Sequence, residues 1–366
     1  MCNRYNSNQS IWEDALYNQK YDFVVIGAGL TGLATAYFAK KKYPNSRILI
    51  LERGIFPIGA STRNAGFACI GSIAEHLSDL EVETESNVKA RIKARYNGLQ
   101  LLKSTLGEDA MEYNACGGWE LFTDDAEFQK AQTNIHRWND WMNEMFQENE
   151  VYKSGEFQGY PAIFNRLEGS LHPRKMIKLN IQLGNEIRWQ SEVASVQPDS
   201  GVVQTKTGQV LNSDKVVLAT NAFTSTFSSS TKISPARGYV FITKAIPNFQ
   251  WNETFHFNKG YMYFRNLGTD RLLIGGGRNV DYDAEAIHQF GINKTIREYL
   301  IDFVHTVIKL PAHWEIEREW SGIMGFTETK SPSIEKIGSK TWQVAGLSGM
   351  GIALGMALGK KAAERL

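Results

Sequence analysis

The run Tyr21-Asp22-Phe23-Val24-Val25-Ile26-Gly27-Ala28-Gly29-Leu30-Thr31-Gly32 joins three signals in one place. Tyr21 to Ile26 is short, apolar and β-branched, as a buried strand is. Three glycines follow with the spacing GxGxxG. Leu33 to Lys42 then reads as a helix that ends in lysines, which suit the negative end of a helix dipole. Arg47-Ile48-Leu49-Ile50-Leu51 reads as a second buried strand, closed by Glu52 and Arg53. Strand, glycines, helix, strand and acid in this order form a dinucleotide-binding unit. Gly27 allows the tight turn, Gly29 lets backbone amides reach a pyrophosphate, and Gly32 lets the helix pack on the strand. Leu30 and Thr31 lie between the glycines, just before the helix whose positive end meets the phosphates. Glu52 lies where a carboxylate holds the adenosine ribose, and it would repel a 2′-phosphate. An α/β fold with a Rossmann-type domain is the expectation.

The next stretch separates a flavin from a nicotinamide. Gly59-Ala60-Ser61-Thr62-Arg63-Asn64-Ala65-Gly66-Phe67 is a polar, glycine-bounded loop that opens another helix. A simple NAD domain would continue with a third strand. A flavin enzyme needs a loop here to cover the second phosphate and the ring, and Ser61, Thr62 and Arg63 offer hydroxyls, amides and charge. Farther on, Gly275-Gly276-Gly277 follows a strand but opens no small-residue helix, so a second nucleotide fold is not expected.

The C-terminal run GLSGMGIALGMALG, Gly346 to Gly359, is apolar and rich in glycine. Val344 to Gly359 is uncharged for sixteen residues, short of the ~20 that a spanning helix needs. No membrane span is expected. A closely packed helix is, with the glycines at 355 and 359 serving helix contact. Composition agrees with a globular protein of two domains: 366 residues, with 40 Lys+Arg against 39 Asp+Glu, give no electrostatic case for nucleic acid. Cys2, Cys69 and Cys116 are scattered, which fits reduced thiols and a cytoplasmic protein. The polar start carries no secretory pattern. The histidines show no metal-ligand spacing, so no metal is expected.

The chain resembles the D-amino-acid-oxidase-like superfamily of FAD-dependent oxidoreductases, nearest the gamma-glutamylputrescine-oxidase-like branch. The resemblance rests on YDFVVIGAGLTGL, the ERG ending, GASTRNAGF with Asn64, Ala65 and Gly66, LHPRK, VVLATNAF, PARGY, YMYFRNLGTDRLLIGGG, EWSGIMGFT and GLSGMGIALG. It implies noncovalent FAD, since the flavin-bonding cysteine of some relatives has no counterpart after Cys116. It implies that Val193 meets the adenine and that Ala219 and Thr220 pass near the cofactor. Asn221 stands where relatives often have glycine. It places Gly349, Met350, Gly351 and Ile352 at the flavin N1–O2 edge. It also implies a second, antiparallel-sheet substrate domain from 86–164 and 235–329, interleaved with an FAD domain from 1–85, 165–234 and 330–366. Val202–Lys206, Gln209–Leu211 and Lys215–Leu218 read as three short strands within the latter.

The implied reaction is oxidation of a C–N bond in an amine or amino acid, by hydride transfer to flavin N5. The resulting imine hydrolyses. Alternatives are a flavin-dependent 2-hydroxyacid dehydrogenase and a flavin-binding protein without amine turnover. The electron acceptor is O2 or another; the lysine that serves oxygen in relatives aligns at Leu273. Substrate-cavity candidates are Tyr239, Tyr261, Tyr263, Arg265, Arg237 and Met324. Alternation puts Tyr261 and Tyr263 on one face. His256 is a lesser candidate, and His172 reads as the start of a helix or as closing a core hydrogen bond. The arginine that follows the WxGx motif in glycine oxidases is absent after Trp320, which favours a larger amine or a distal carboxylate.

Overall fold

The structure is a computed structural model that describes residues 10–12, 20–180, 185–228, 232–311 and 313–366; Cys2 and most of the polar leading stretch fall outside these. Strand β1 (Lys20–Ile26) turns through the glycines into α1 (Leu30–Lys42), and β2 (Ile48–Leu51) follows. The helix starts three residues earlier than its apolar pattern suggests. Gly27 completes the turn at φ +104°, so the first helical bond already runs from Leu33 N–H to the Gly29 carbonyl, at 2.9 Å.

The covering loop holds one helical turn, α2 (Ala60–Arg63), before β3 (Phe67–Ala68) and α3 (Ile73–Leu80). Ser72 caps α3 by accepting the Glu75 N–H, the Ser-x-x-Glu pattern of a capping box. Next come α4 (Glu85–Leu106), β4 (Gly118–Leu121), α5 (Asp125–Thr133) and α6 (Ile135–Phe146). The hairpin β5 (Tyr152–Phe157) and β6 (Tyr160–Asn165) leads to β7 (Gly169–Ser170), and His172 does precede a short helical run, Pro173–Asn180. Strands β8 (Glu186–Arg188), β9 (Val193–Gln197), β10 (Val202–Thr205) and β11 (Val210–Leu218) return to the first sheet. Then β12 (Ser234–Thr243), β13 (Thr254–Phe257), β14 (Met262–Leu267) and β15 (Arg271–Gly276) form one antiparallel run. The chain ends with α7 (Tyr282–Glu285), α8 (Lys294–Phe303), β16 (Ile316–Phe326), β17 (Ser333–Lys336), β18 (Thr341–Ala345) and α9 (Gly351–Arg365).

Where the sequence suggests a turn at Asn212-Ser213-Asp214, β11 runs straight through. Its first half pairs antiparallel with β10 and its length pairs parallel with β1, so Ser213 sits opposite Tyr21. Two partners outweigh a weak local turn preference.

Among the described residues the strands make two eight-stranded sheets and the two-stranded pair β3–β7. The first has the order β17-β18-β11-β1-β2-β8, with β10 and β9 added at β11. Strands β18, β11, β1, β2 and β8 are mutually parallel. The chain leaves β1 for β2 on one side and has β11 on the other, a topological switch point whose carboxyl ends hold ligands in such sheets. The second sheet has the order β16-β12-β15-β14-β13-β4-β6-β5 and draws its strands from 118–165 and 234–326. Helices α5 and α6 pack on β6 and β5 of this sheet, whereas α4, which the expected boundary at residue 86 places in the same domain, lies against α9. Val88, Leu99, Phe128, Trp138 and Trp141 share one core with α1, α9 and the first sheet.

Helix α9 lies against α1 and α4 with almost no space between. A Cβ at Gly359 would stand 2.5 Å from Ala34 Cβ, and one at Gly98 would stand 1.9 Å from the Ala353 carbonyl. This close seating aims the N-terminus of α9 at the cleft between the sheets. No described helix is long and apolar enough to cross a membrane.

Candidate active site

A cavity of about 750 Å3 opens at the carboxyl ends of β1, β2 and β11 and continues under the second sheet. The volume is in the upper part of the range for cofactor sites. Its first half is built from backbone. Glu52, buried at the end of β2, accepts the Ala28 N–H at 2.9 Å through Oε2 and the Gly54 N–H at 3.0 Å through Oε1. It thereby ties the glycine turn to the strand beside it. Gly29, Leu30 and Thr31 line the cavity at the start of α1. Ser61 Oγ accepts the Leu30 N–H at 2.9 Å, so its hydroxyl stands at the helix N-terminus where phosphate is expected. Thr31 Oγ1 is buried without a hydrogen-bond partner among the described residues. An orphaned buried hydroxyl calls for a ligand atom.

Arg53, Val193, Ala219 and Thr220 also line the cavity. Arg53 lies 4.0 Å from the Phe223 ring centroid. Asn221 adopts φ +52°, the left-handed conformation that asparagine shares with glycine. Gly32 does not reach the cavity; a Cβ there would stand 1.9 Å from the Gly27 carbonyl, so its role is helix packing. Thr62 also turns away, its hydroxyl donating to the Pro57 carbonyl. At the other end, Gly349, Met350, Gly351 and Ile352 line the cavity at the start of α9. A Cβ at Gly349 or Gly351 would find no neighbour nearer than 3.6 Å, so the space before these bare amides is open. Two helix N-termini, an orphaned hydroxyl and an open glycine edge fit a flavin dinucleotide. FAD would lie with its pyrophosphate at Leu30 and Thr31 and its ring edge at Gly349 and Gly351.

The second half is made of side chains. Three bonds stitch the covering loop to the second sheet. Arg63 Nη1 donates to the Ser321 carbonyl at 2.9 Å, Trp320 Nε1 to the Arg63 carbonyl at 2.9 Å, and Arg265 Nε to the Ala65 carbonyl at 2.6 Å. Arg63, Asn64, Ala65 and Gly66 are thereby held against the cavity.

These bonds correct the reading of Arg265. It is buried, its guanidinium is spent on backbone carbonyls, and burial lowers its pKa to about 10. Arg237 is likewise outside the cavity: Nε and Nη2 hold both oxygens of the buried Glu285 carboxylate, at 3.0 and 2.6 Å. Tyr239 is core, its hydroxyl donating to Glu319. Tyr261, Tyr263 and Met324 do line the cavity. Tyr263 meets Phe67 edge-on at 5.5 Å, and burial raises its phenol to about 12, so it stays a hydroxyl. Tyr261 accepts the Tyr282 O–H at 2.7 Å.

Arg278 was not singled out by its sequence, yet it is the arginine that faces the cavity from the second sheet's side. Its guanidinium lies 4.4 Å from the Tyr282 ring centroid and 4.3 Å from that of Phe326, and it pairs with no carboxylate among the described residues. The signal that could have found it is its position directly after the glycines that end β15. In the far wall, Glu75 and Arg95 pair at 2.8 Å. Burial alone would raise the Glu75 carboxyl, but Arg95, His76 and Lys330 outweigh it and hold it near 2. Lys330 reaches across from the β16–β17 loop to Asp79, which also pairs with Arg91.

A parallel sheet with a cleft at its switch point, faced by a second sheet across the cavity, is an architecture that fits a flavin oxidoreductase. The chain matches the family model described as FAD dependent oxidoreductase over residues 22–365, and it belongs to that family. Its cofactor is FAD. L-2-hydroxyglutarate dehydrogenase of Escherichia coli strain K12 is 27% identical over 203 residues, which cover 52% of this chain and 44% of that one. The chain thus aligns with less than half the length of that curated relative. Among solved structures, glycine oxidase of Geobacillus kaustophilus superposes with a TM-score of 0.73 at 20% identity, covering 95% of each chain. Iminodiacetate oxidase of Chelativorans sp. BNC1 gives 0.74 at 17% identity, covering 93% of this chain and 94% of that one. At these identities the structures share the fold.

Proposed function

We propose that this oxidoreductase acts on a C–N bond of an amine or amino acid that carries a carboxylate, giving an imine that water hydrolyses. Bound FAD supplies the acceptor for a hydride from the substrate carbon. The residues of the chain bind and orient. The carrying observation is Arg278, a cation held between two aromatic rings in the cavity with no acid partner among the described residues. A planar guanidinium fork takes a carboxylate in two parallel hydrogen bonds. Phe67, Tyr261 and Tyr263 supply an apolar wall in which an amine is favoured as the neutral base, the form from which hydride departs. The Tyr263 hydroxyl is available to hold the substrate's polar end.

The FAD is held without a covalent bond. Cys69 touches the cavity, but burial pushes its thiol well up, and the thiol rather than the reactive thiolate is present. Acid precipitation should release all the yellow colour into the supernatant.

Oxidation of a 2-hydroxyacid is the second reading, favoured by the partial match to L-2-hydroxyglutarate dehydrogenase. Anaerobic mixing with a panel of amines, amino acids and 2-hydroxyacids separates the two by which class bleaches the flavin. Arg278→Met should raise KM for carboxylate substrates about 10- to 100-fold, as loss of a charge-assisted pair implies, and leave carboxylate-free amines unaffected. Bleaching by hydroxyacids and by no amine would overturn the C–N reading.

A further inference from the structure

Beyond Arg278 and the tyrosines, one titratable group faces the substrate half of the cavity from the middle of the second sheet. His256 on β13 is 7% exposed and lines the cavity. Its ring meets Phe67 edge-on at 5.3 Å, at the end of the covering loop, and Phe67 in turn meets Tyr263. His256 and Tyr263 are direct partners across the β13–β14 ladder. The imidazole is therefore part of the wall on which the substrate must lie.

The ring is fixed from behind. Nε2 lies 2.7 Å from Glu168 Oε2, and Glu168 is itself 2% exposed. The same carboxylate oxygen accepts the Thr254 O–H at 3.0 Å. A carboxylate behind one imidazole nitrogen sets the tautomer and leaves the other nitrogen, Nδ1, to act on what lies in front. On the neighbouring parallel strand Glu120 is the register partner of His256. Such partners stand about 4.8 Å apart and point to one face. Glu120 is 5% exposed, its Oε1 has no hydrogen-bond partner among the described residues, and it lines a second, smaller cavity with Thr123, Glu127 and Lys259. Lys259 borders both cavities, so the two are separated by little more than the His256–Glu120 pair.

We propose that His256 is the proton acceptor of the reaction, oriented by Glu168, and that Glu120 passes the proton on to solvent through the second cavity. This rests on the proposed substrate class. The N–H bond of a bound ammonium breaks, its electron pair stays on nitrogen, and the proton goes to Nδ1. The neutral amine so formed is ready to lose hydride from the adjacent carbon. The proton then leaves by way of the Glu120 carboxylate. His256 is a catalytic residue in this scheme, and Glu168 a positioning residue.

The electrostatics agree. Burial would lower the His256 pKa, but Glu168, Glu120 and Glu75 outweigh it and raise it. The charged and titratable groups around the ring are Glu168 beyond β6, Glu120 on β4, Glu75 on α3, Tyr263 on β14 and Lys259 at the end of β13. Burial pushes Glu120 up to about 7, so it exchanges a proton near neutrality.

The test is anaerobic flavin reduction followed across pH 6 to 10 with the carboxylate-bearing substrate that bleaches the wild type. Wild-type reduction at low substrate should rise with pH through one ionisation. His256→Gln, with its FAD content measured, should be about 10²- to 10⁴-fold slower at neutral pH and should recover where the free amine deprotonates in solution. Glu168→Gln keeps the imidazole, and should shift both the rate profile and the His256 NMR titration toward acid. That variant keeps the proposal falsifiable if His256→Gln fails to hold FAD. A His256→Gln enzyme with the wild-type profile, or a Glu168→Gln enzyme with neither curve moved, overturns the assignment. The same series runs on a 2-hydroxyacid reads an O–H proton instead. A silent amine panel therefore overturns the substrate reading alone, and an unmoved profile on whichever substrate reacts overturns the His256 assignment alone.

Discussion

Replacing Gly359 with alanine adds one methyl group where α9 meets α1. The new Cβ would stand 2.5 Å from Ala34 Cβ, 2.8 Å from the Thr31 carbonyl and 2.8 Å from Thr35 N. Carbon atoms in contact sit 3.5–4.0 Å apart, so the helices must separate by about 1 Å or more. None of the three neighbours is the end of a flexible side chain. Overpacking of this kind costs about 1–3 kcal/mol, against roughly 1 kcal/mol gained from helix propensity. The net loss is about 1 kcal/mol, or ~2 °C in Tm for a chain of this size. Gly355→Ala is the internal control. Its Cβ would meet Leu30 Cδ2 at 3.0 Å and Cγ at 3.1 Å, a side chain that relieves the contact by shifting a few tenths of an ångström where backbone could not, so propensity should win and Tm should hold or rise. The two variants also differ in function. Moving α1 displaces Leu30 and Thr31, and with them the phosphate end of the cavity, so Gly359→Ala should bind FAD at least tenfold more weakly. Thermal unfolding of the apoprotein and fluorescence titration with FAD measure both effects. A Gly359→Ala protein as stable as Gly355→Ala, with wild-type FAD affinity, would refute the reasoning.

Three further outcomes are expected. Glu52→Gln sets an amide N–H2 against the Ala28 or Gly54 N–H, and should cost about 1–3 kcal/mol of apoprotein stability and at least tenfold in FAD affinity; unchanged titration would sink that role. Gly351→Val places its side chain in open space, with Leu347 Cδ1 the nearest neighbour at 3.6 Å, so apoprotein Tm should stay within ~2 °C while FAD binding or flavin potential changes. Glu120 holds its proton to about pH 7 in the fold, against 4.5 ordinarily. The unfolded chain therefore releases that proton first, and the fold loses stability as pH rises from about 4.5 to 7, by up to ~3 kcal/mol. Glu120→Gln should flatten that slope in urea unfolding and be relatively more stable at pH 8; a slope equal to wild type would contradict the buried acid.

The cofactor half of the site was legible because its signals are local. A strand, a glycine turn and a helix lie in consecutive residues, and so do β18 and α9. The substrate half was not, because the fate of an arginine depends on what the fold sets beside it. Arg237 meets Glu285, and Arg265 meets the Ala65 and Leu171 carbonyls, from segments distant in sequence. Arg278 meets rings instead, and so remains available. His256 gains its standing from Glu168, eighty-eight residues away. The continuous β11 and the docking of α4 on α9 escaped for the same reason: pairing and packing across the chain overrode local turn and domain cues.

The bonds from Arg63, Trp320 and Arg265 have a kinetic side. The covering strap is sewn to the opposite lobe at Arg63 and Ala65, from β14 and β16. Dinucleotide cannot slip out by a swing of that strap alone; the lobes must part first. Exchange of bound for free FAD is then tied to sub-global opening of the chain, and is slow wherever the fold is stable. Loading of folded apoprotein is then slow as well, and an FAD titration reaches its end point only on the timescale of that opening.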